Sequence, residues 1–174
     1  NVAVYLDSAL SAQDVLDFGA AHVVIATGAR WRRDGFGRSH GLGIEGFESN
    51  PAVFTPDDVM DGRLPEGEIV VFDDDGGYHA TVAAELLAKA GRRVHFVTPE
   101  DVVAPWGQFT LEYRHVRKRL AALGVAVHVS KVVAGYTGKT LRLQDAWSAQ
   151  AHPAARDGGN RQGRCWSDRV ADAT

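Results

Sequence analysis

Three observations in the amino-acid sequence predict an α/β fold, a Rossmann-like three-layer arrangement with a mainly parallel sheet. Short apolar runs rich in β-branched residues stand near 68–73, 93–97 and 125–130. Between them lie two stretches of helical pattern, each closed by a glycine, Gly91 and Gly124. The first run also passes straight into a glycine-containing turn and then a helix, the order of a dinucleotide-binding unit.

The elements follow in chain order. "NVAVYL" (1–6) alternates Val2, Val4 and Leu6 and reads as a strand. "SAQDVLDFG" offers Ser11 as an N-cap and an apolar pair, Val15 and Leu16, so a helical turn or a short connection is expected. "HVVIATG" (22–28) reads as a buried strand stopping at Gly28. Residues 31–66 are rich in Gly, Arg, Asp and Pro. They read as a long surface connection with one short helix at "TPDDVMDG", Thr55 capping it and Pro56 in its first turn. Residues 67–146 carry the alternating strands and helices. "TLEYRHVRKRLAALG" places Val116, Leu120 and Leu123 on one helix face and basic residues on the other. "VAVHVSKVVAGYT" reads as a further strand that can turn into a hairpin with "KTLRLQDAW". From 147 to 174 large apolar residues are few and Gly, Arg and Asp many, so a divergent or disordered tail is expected.

Composition narrows the function. With 174 residues, 45% apolar and 24% charged, the chain suits an ordinary globular domain. A net charge of −3 gives no global attraction to nucleic acid or to an anionic membrane. No apolar run approaches the ~20 residues of a membrane span, and "NVAVYLDS" lacks the basic start and apolar core of a signal peptide. A single cysteine, Cys165, rules out an internal disulfide and a cysteine-ligated zinc or iron–sulfur site within this sequence. A cytoplasmic setting is expected. The sequence starts without methionine and already in a strand pattern, which reads as a fragment.

The motif is incomplete in an informative way. A dinucleotide fingerprint is G-x-G-x-x-G/A. Here the six positions read Asp75, Gly76, Gly77, Tyr78, His79 and Ala80. Gly77 keeps the second glycine and Ala80 the third position, but Asp75 replaces the first, and Asp73 and Asp74 precede it. A helix N-terminus favours an anion by about 0.3–1 kcal/mol, reaching ~2 when partly buried. One carboxylate ~5 Å from a phosphate charge, at an effective dielectric near 20, opposes it by about 3 kcal/mol. Repulsion therefore wins if even one of the three side chains faces the site. The expectation is an empty turn, with Asp74 or Asp75 bonded to backbone N–H groups near Tyr78–Ala80 in place of a phosphate.

Other residues read more plainly. His22, His95 and His128 lie in strand patterns without paired metal-ligand spacing, so no metal site is expected. Tyr78 and His79 are expected to cover the turn. Trp31 and Trp106 follow strand ends and are candidates for packing on a neighbouring domain. Arg114, Arg117, Lys118 and Arg119 read as a solvated helix face. Cys165 has no recognisable base, so no catalytic residue is assigned.

Four blocks together, "HVVIATGARWRRDG", "FTPDDVMDG", "VVFDDDGGYHATVAAELLAKAG" and "FTLEYRHVRKRLAALGV", resemble the C-terminal region of the trimethylamine, dimethylamine and histamine dehydrogenase group, related to 2,4-dienoyl-CoA reductase. The resemblance runs over residues 1–146. It implies a parent enzyme with a barrel domain holding FMN and an iron–sulfur cluster, followed by an FAD-like and an NAD(P)H-like domain of glutathione-reductase type. Residues 1–30 would be the end of an incomplete FAD-like domain, with Thr27 and Gly28 near the ADP or FAD of relatives. Residues 67–146 would be the NAD(P)H-like domain, with Gly76, Gly77 and Ala80 as its degenerate cofactor-binding turn and NAD(P)H disfavoured. The implied function is that of a part of a flavin-dependent amine dehydrogenase-like oxidoreductase, inactive alone and partnered by the rest of the parent flavoprotein. The alternative is a stand-alone adenine-nucleotide-binding or interaction module.

Overall fold

The computed structural model describes residues 2–138 and 140–148, together with the backbone of 164–167. The strand order of the main sheet is β1-β7-β2-β3-β4, with every pairing parallel. Its strands are β1 (Val53–Phe54), β2 (Glu68–Phe72), β3 (Arg93–Val97), β4 (Ala126–His128) and β7 (Arg164–Ser167). An antiparallel hairpin, β5 (Lys131–Tyr136) and β6 (Leu141–Asp145), forms separately. The helices are α1 (Ala12–Asp17), α2 (Pro56–Met60), α3 (His79–Lys89) and α4 (Tyr113–Ala122). The expected α/β fold with a mainly parallel sheet is present. β2 is its central strand, and the turn 73–78 leaves its C-terminal end.

The strand periodicity explains the layers. Side chains alternate across a sheet, so β2 sends Ile69 and Val71 to one face and Val70 and Phe72 to the other. The first face packs with Val94 and Phe96 of β3 beneath Ala80, Ala84 and Leu87 of α3 and Val116 and Leu120 of α4. Phe72 and Val97 pack on the other face with Ile44, Phe47, Val53, Val133 and Tyr136. Helices thus cover one face, and the hairpin with the segment 44–53 covers the other. Leu123, expected on the apolar stripe of α4, packs at the margin of the helical core.

Three expectations change. Residues 31–66 are not merely a surface connection: Phe47 and Val53 are fully buried, because the second sheet face needs an apolar cover that helices do not supply. The short helix inside this segment has the expected cap: Thr55 accepts from the Asp58 backbone N–H, and Asp58 accepts from that of Thr55. The tail is not loop throughout, since 164–167 is a strand between β1 and β2; its other residues beyond 148 lie outside the described ones. Finally, 2–6 and 22–28 are not strands. An isolated strand leaves its N–H and C=O groups without a ladder, and among the described residues no strand pairs with either segment. Their apolar residues stay exposed, Val2 at 87% and Val24 at 88%.

Candidate functional site, the turn between β2 and α3

The turn at the end of β2 is the place where sequence pattern and topology coincide. Asp73 is fully buried. Its backbone N–H donates to the carbonyl of Val97 at 2.8 Å, extending the β2–β3 ladder by one step. One carboxyl oxygen, Oδ1, accepts from the Gly76 N–H at 2.8 Å and closes the turn locally. The other, Oδ2, is buried with no hydrogen-bond partner among the described residues. Burial pushes the Asp73 carboxyl up to about 7; the bond from Gly76 works against this, Asp75 and Asp74 add to it, and Arg38 opposes it.

Asp74 faces a different part of the chain. It accepts from the backbone N–H groups of Arg38 at 2.6 Å and of Ser39 at 3.0 Å. The side chain of Arg38 reaches on to Glu100, which follows β3. The glycine-rich segment 35–43 is therefore strapped across the turn by a carboxylate that takes two successive backbone donors, much as an anion would. A glycine at 76 is needed twice over. Its φ of +72° belongs to the left-handed region, and a Cβ there would lie 3.1 Å from the Pro105 ring. A Cβ on Gly77 would lie 2.4 Å from the Asp75 carboxylate.

Aromatic side chains wall the turn. The Trp106 indole Nε1–H donates to the Asp75 carbonyl at 3.2 Å, and the Trp106 backbone N–H donates to that of Gly76 at 3.3 Å. Pro105 and Trp106 are delivered by a short 3₁₀ turn that begins after Ala104, itself at φ +49°. On the helix side His79 stacks on Tyr78 with ring centroids 4.2 Å apart and meets Trp31 edge-on at 5.6 Å. Trp31 and Trp106, expected against a neighbouring domain, thus contact the turn of their own chain.

The expected capping by Asp74 or Asp75 does not occur. The residue before α3 is Tyr78, and among the described residues no side-chain hydrogen bond caps the helix. The reason is geometric: Asp73 turns back to Gly76, and Asp74 is drawn to the strap. The open N-terminus keeps the small Ala80, which is fully buried against the sheet as the fingerprint's third position requires. Gly76, Gly77 and Ala80 are thus gathered in one turn. Thr27 and Gly28 are exposed, and among the described residues no hydrogen bond joins them to it.

A second polar cluster escaped the sequence reading. On the hairpin-facing side of the sheet, His95 Nδ1 and His128 Nε2 lie 3.0 Å apart, and His95 Nε2 lies 2.8 Å from Glu68. Burial, then His95 and Lys131, hold the His128 imidazole below its ordinary value. The strand register carries the signal: His95 pairs with Ala126 and Val97 with His128, which sets the two rings on one face a single step apart. Among the described residues no group of three or more His, Cys, Asp or Glu side chains could hold a metal ion. No described helix is long and apolar enough to cross a membrane.

A parallel sheet around a glycine turn defines the class, and comparison with known proteins supplies the family. Residues 54–164 match the family described as OYE-like second alpha/beta domain, and the chain belongs to it. It is 33% identical over 120 residues to dimethylamine dehydrogenase of Hyphomicrobium sp. (strain x), which covers 68% of this chain and 16% of that protein. Among solved structures it resembles the 6-hydroxypseudooxynicotine amine oxidase of Pseudomonas geniculata N1, with a TM-score of 0.79, 36% identity, and coverage of 94% of this chain and 23% of that one. Histamine dehydrogenase of Rhizobium sp. 4-9 gives a TM-score of 0.77 at 35% identity, over 92% of this chain and 24% of that one. The chain spans less than a quarter of the length of each of these relatives.

Proposed function

We propose that this chain serves as the second nucleotide-type domain of a flavin-dependent oxidoreductase acting on amines, and that it positions rather than performs chemistry. The observation that carries the reading is the turn itself: a dinucleotide-type strand–turn–helix kept in a family of amine-oxidising relatives, with its anion position crowded by Asp73, Asp74 and Asp75 and crossed by the 35–43 strap. The residues present do not fit a pyrophosphate. Asp74 ties the strap across the turn through the Arg38 and Ser39 N–H groups, and the carboxylates of the turn repel a second anion. A single cysteine cannot ligate an iron–sulfur cluster of the four-cysteine kind, so that group would belong to other parts of the parent protein, and by the family resemblance FMN would too. Thr27 and Gly28 would approach ADP or FAD only when the rest of an FAD-like domain stands beside residues 2–30. The barrel and FAD-like domains of the parent are the implied partners, and a cytoplasmic setting suits them.

The test is calorimetric titration of the purified chain with ADP, NADH and NADPH, together with its visible spectrum. The expected outcome is no flavin colour and no binding tighter than millimolar. Micromolar binding of any of the three would favour a stand-alone nucleotide-binding module instead.

A further inference from the structure

We infer that Glu68, His95 and His128 form a proton-operated hydrogen-bond switch: a single proton taken up by His95 reverses the bond between the two rings and turns Nδ1 of His128 from an acceptor into a donor. The row crosses three strands. Glu68 opens β2, His95 stands in β3 and His128 ends β4. The Glu68 and His95 side chains are only 20% and 21% exposed, so water competes little for the bond between them.

The bonds fix which nitrogen carries which proton. Glu68, with Arg93 also 3.6 Å from its Oε1, is a carboxylate and can only accept. His95 Nε2 therefore donates across the 2.8 Å to Glu68. In a neutral ring that leaves His95 Nδ1 bare, so His128 Nε2 donates across the 3.0 Å between the rings. Nδ1 of His128 is then an acceptor. One added proton changes this pattern. On His95 it makes an imidazolium with two donors, and each has an acceptor in place: Nε2–H keeps Glu68, and Nδ1–H turns to His128 Nε2. Two N–H groups cannot share the 3.0 Å gap, so His128 releases its Nε2 proton and gains one at Nδ1. His128 stays neutral, and the pair gains one proton in all.

The surrounding charges favour His95 as the place for that proton. β2 supplies Glu68 and β3 supplies Arg93 beside it. The hairpin supplies Lys131, 3.0 Å from Asp145 of its other strand. Past the end of β3, Glu100 is paired with Arg38. β7 pairs along the opposite edge of β2, from Ile69 onward and away from β3. A charge on His95 thus bonds directly to a carboxylate, whereas a charge on His128 would lie one ring further from Glu68 and face Lys131. Burial, then His95 and Lys131, already hold the His128 imidazole below its ordinary value. A second proton would set two N–H donors against each other in rings whose centroids are 5.3 Å apart.

Long-range proton–nitrogen correlation spectra of the imidazoles in the unaltered chain, recorded from pH 8 to pH 5, test this. At pH 8 both rings should be neutral and protonated on Nε2. As the pH falls, His95 should become charged first, and in the same step the still neutral His128 should move its proton to Nδ1. In Glu68→Gln, which removes the carboxylate charge, the affinity of His95 for its proton should drop about tenfold. His128 charging before or together with His95, a neutral His128 that keeps its Nε2 proton once His95 is charged, or an unchanged His95 in Glu68→Gln would each overturn the switch. Should Glu68→Gln fail to fold, the order of the two steps in the unaltered chain decides alone.

Discussion

Residues 22–25 and residues 69–72 are written in nearly the same alphabet, "HVVI" against "IVVF", yet they end in opposite states. In β2, Ile69, Val71 and Phe72 are fully buried between helices and hairpin. In the N-terminal segment Ile25 is 82% exposed and pairs with no strand among the described residues. A β-branched apolar run states a preference for a pleated, half-buried surface. Only a ladder partner and a covering layer turn that preference into a strand. The first 30 residues therefore carry strand-type information that the described part of this chain does not use.

The sharpest way to test that contrast is to truncate a large apolar side chain to alanine on each side. Phe96→Ala opens a cavity under α3 and α4 and should cost about 3–5 kcal/mol in urea denaturation. Ile25→Ala removes apolar atoms already in water and should move stability by no more than ~0.5 kcal/mol. Comparable losses at both sites would mean that the N-terminal segment packs in solution.

A smaller effect concerns the segment between the two regions. Asp58 is buried and accepts from the Arg33 guanidinium at 2.6 Å, pairs with Arg63 and caps the N-terminus of α2. Arg33 also donates to the Val53 carbonyl, so one side chain ties 33 to both β1 and α2. Asp58→Ala should cost about 1–3 kcal/mol, since a cap and charge-assisted bonds are lost together. Arg33 and Arg63 are part-exposed and can return to water, which keeps the figure below that for stranding a fully buried charge. Asp58→Asn, which retains an acceptor, should lose less.

The third effect is set by pH. The His128 imidazole in the folded chain titrates below its ordinary value because it is half-buried beside His95 and Lys131. The unfolded chain then binds more protons than the folded one just below about 6.5. Stability therefore falls as pH drops from there toward the folded value, and is unaffected by this residue above it. Partial exposure screens the term, so under ~1 kcal/mol is expected between pH 7 and pH 5. His128→Gln should flatten this slope. Other groups run the opposite way: Asp73 stabilises the folded form as pH falls from about 7, so the histidine slope is best read as the difference between the variant and the unaltered chain.

Much of the fold was legible because its signals are local. Periodicity and terminal glycines placed α3, α4 and the strands β2 to β4, and Thr55 with Asp58 marked α2. What stayed hidden depended on long-range meetings. Nothing in "RCWS" says that it inserts between β1 and β2, and nothing near Phe47 says that it closes the second face of the sheet. At the site, sequence identified the turn and the three aspartates, but not their partners. Asp74 meets Arg38 and Ser39 across 36 and 35 residues, and Trp106 meets Asp75 across 31. The expectation of a capped helix failed because a carboxylate takes the nearest unsatisfied donors in space, and those belong to the strap.

The smallest effect in this chain is also the one that can break the comparison. Val24→Ser exchanges an exposed apolar side chain for a polar one and should shift stability by less than ~0.5 kcal/mol, measured by urea denaturation. The backbone of this chain follows that of relatives four times its length over more than nine-tenths of its own residues. If residues 22–25 complete a sheet in a parent flavoprotein, the same substitution there meets a buried position and should cost ~1–3 kcal/mol, because a lost apolar contact is joined by an unsatisfied hydroxyl. The informative quantity is the difference between the two measurements. A large difference assigns the N-terminal segment to a sheet built with other parts of the parent. Equal, small effects would leave "HVVI" as exposed chain in both settings and remove the reason for placing Thr27 and Gly28 beside an adenine nucleotide.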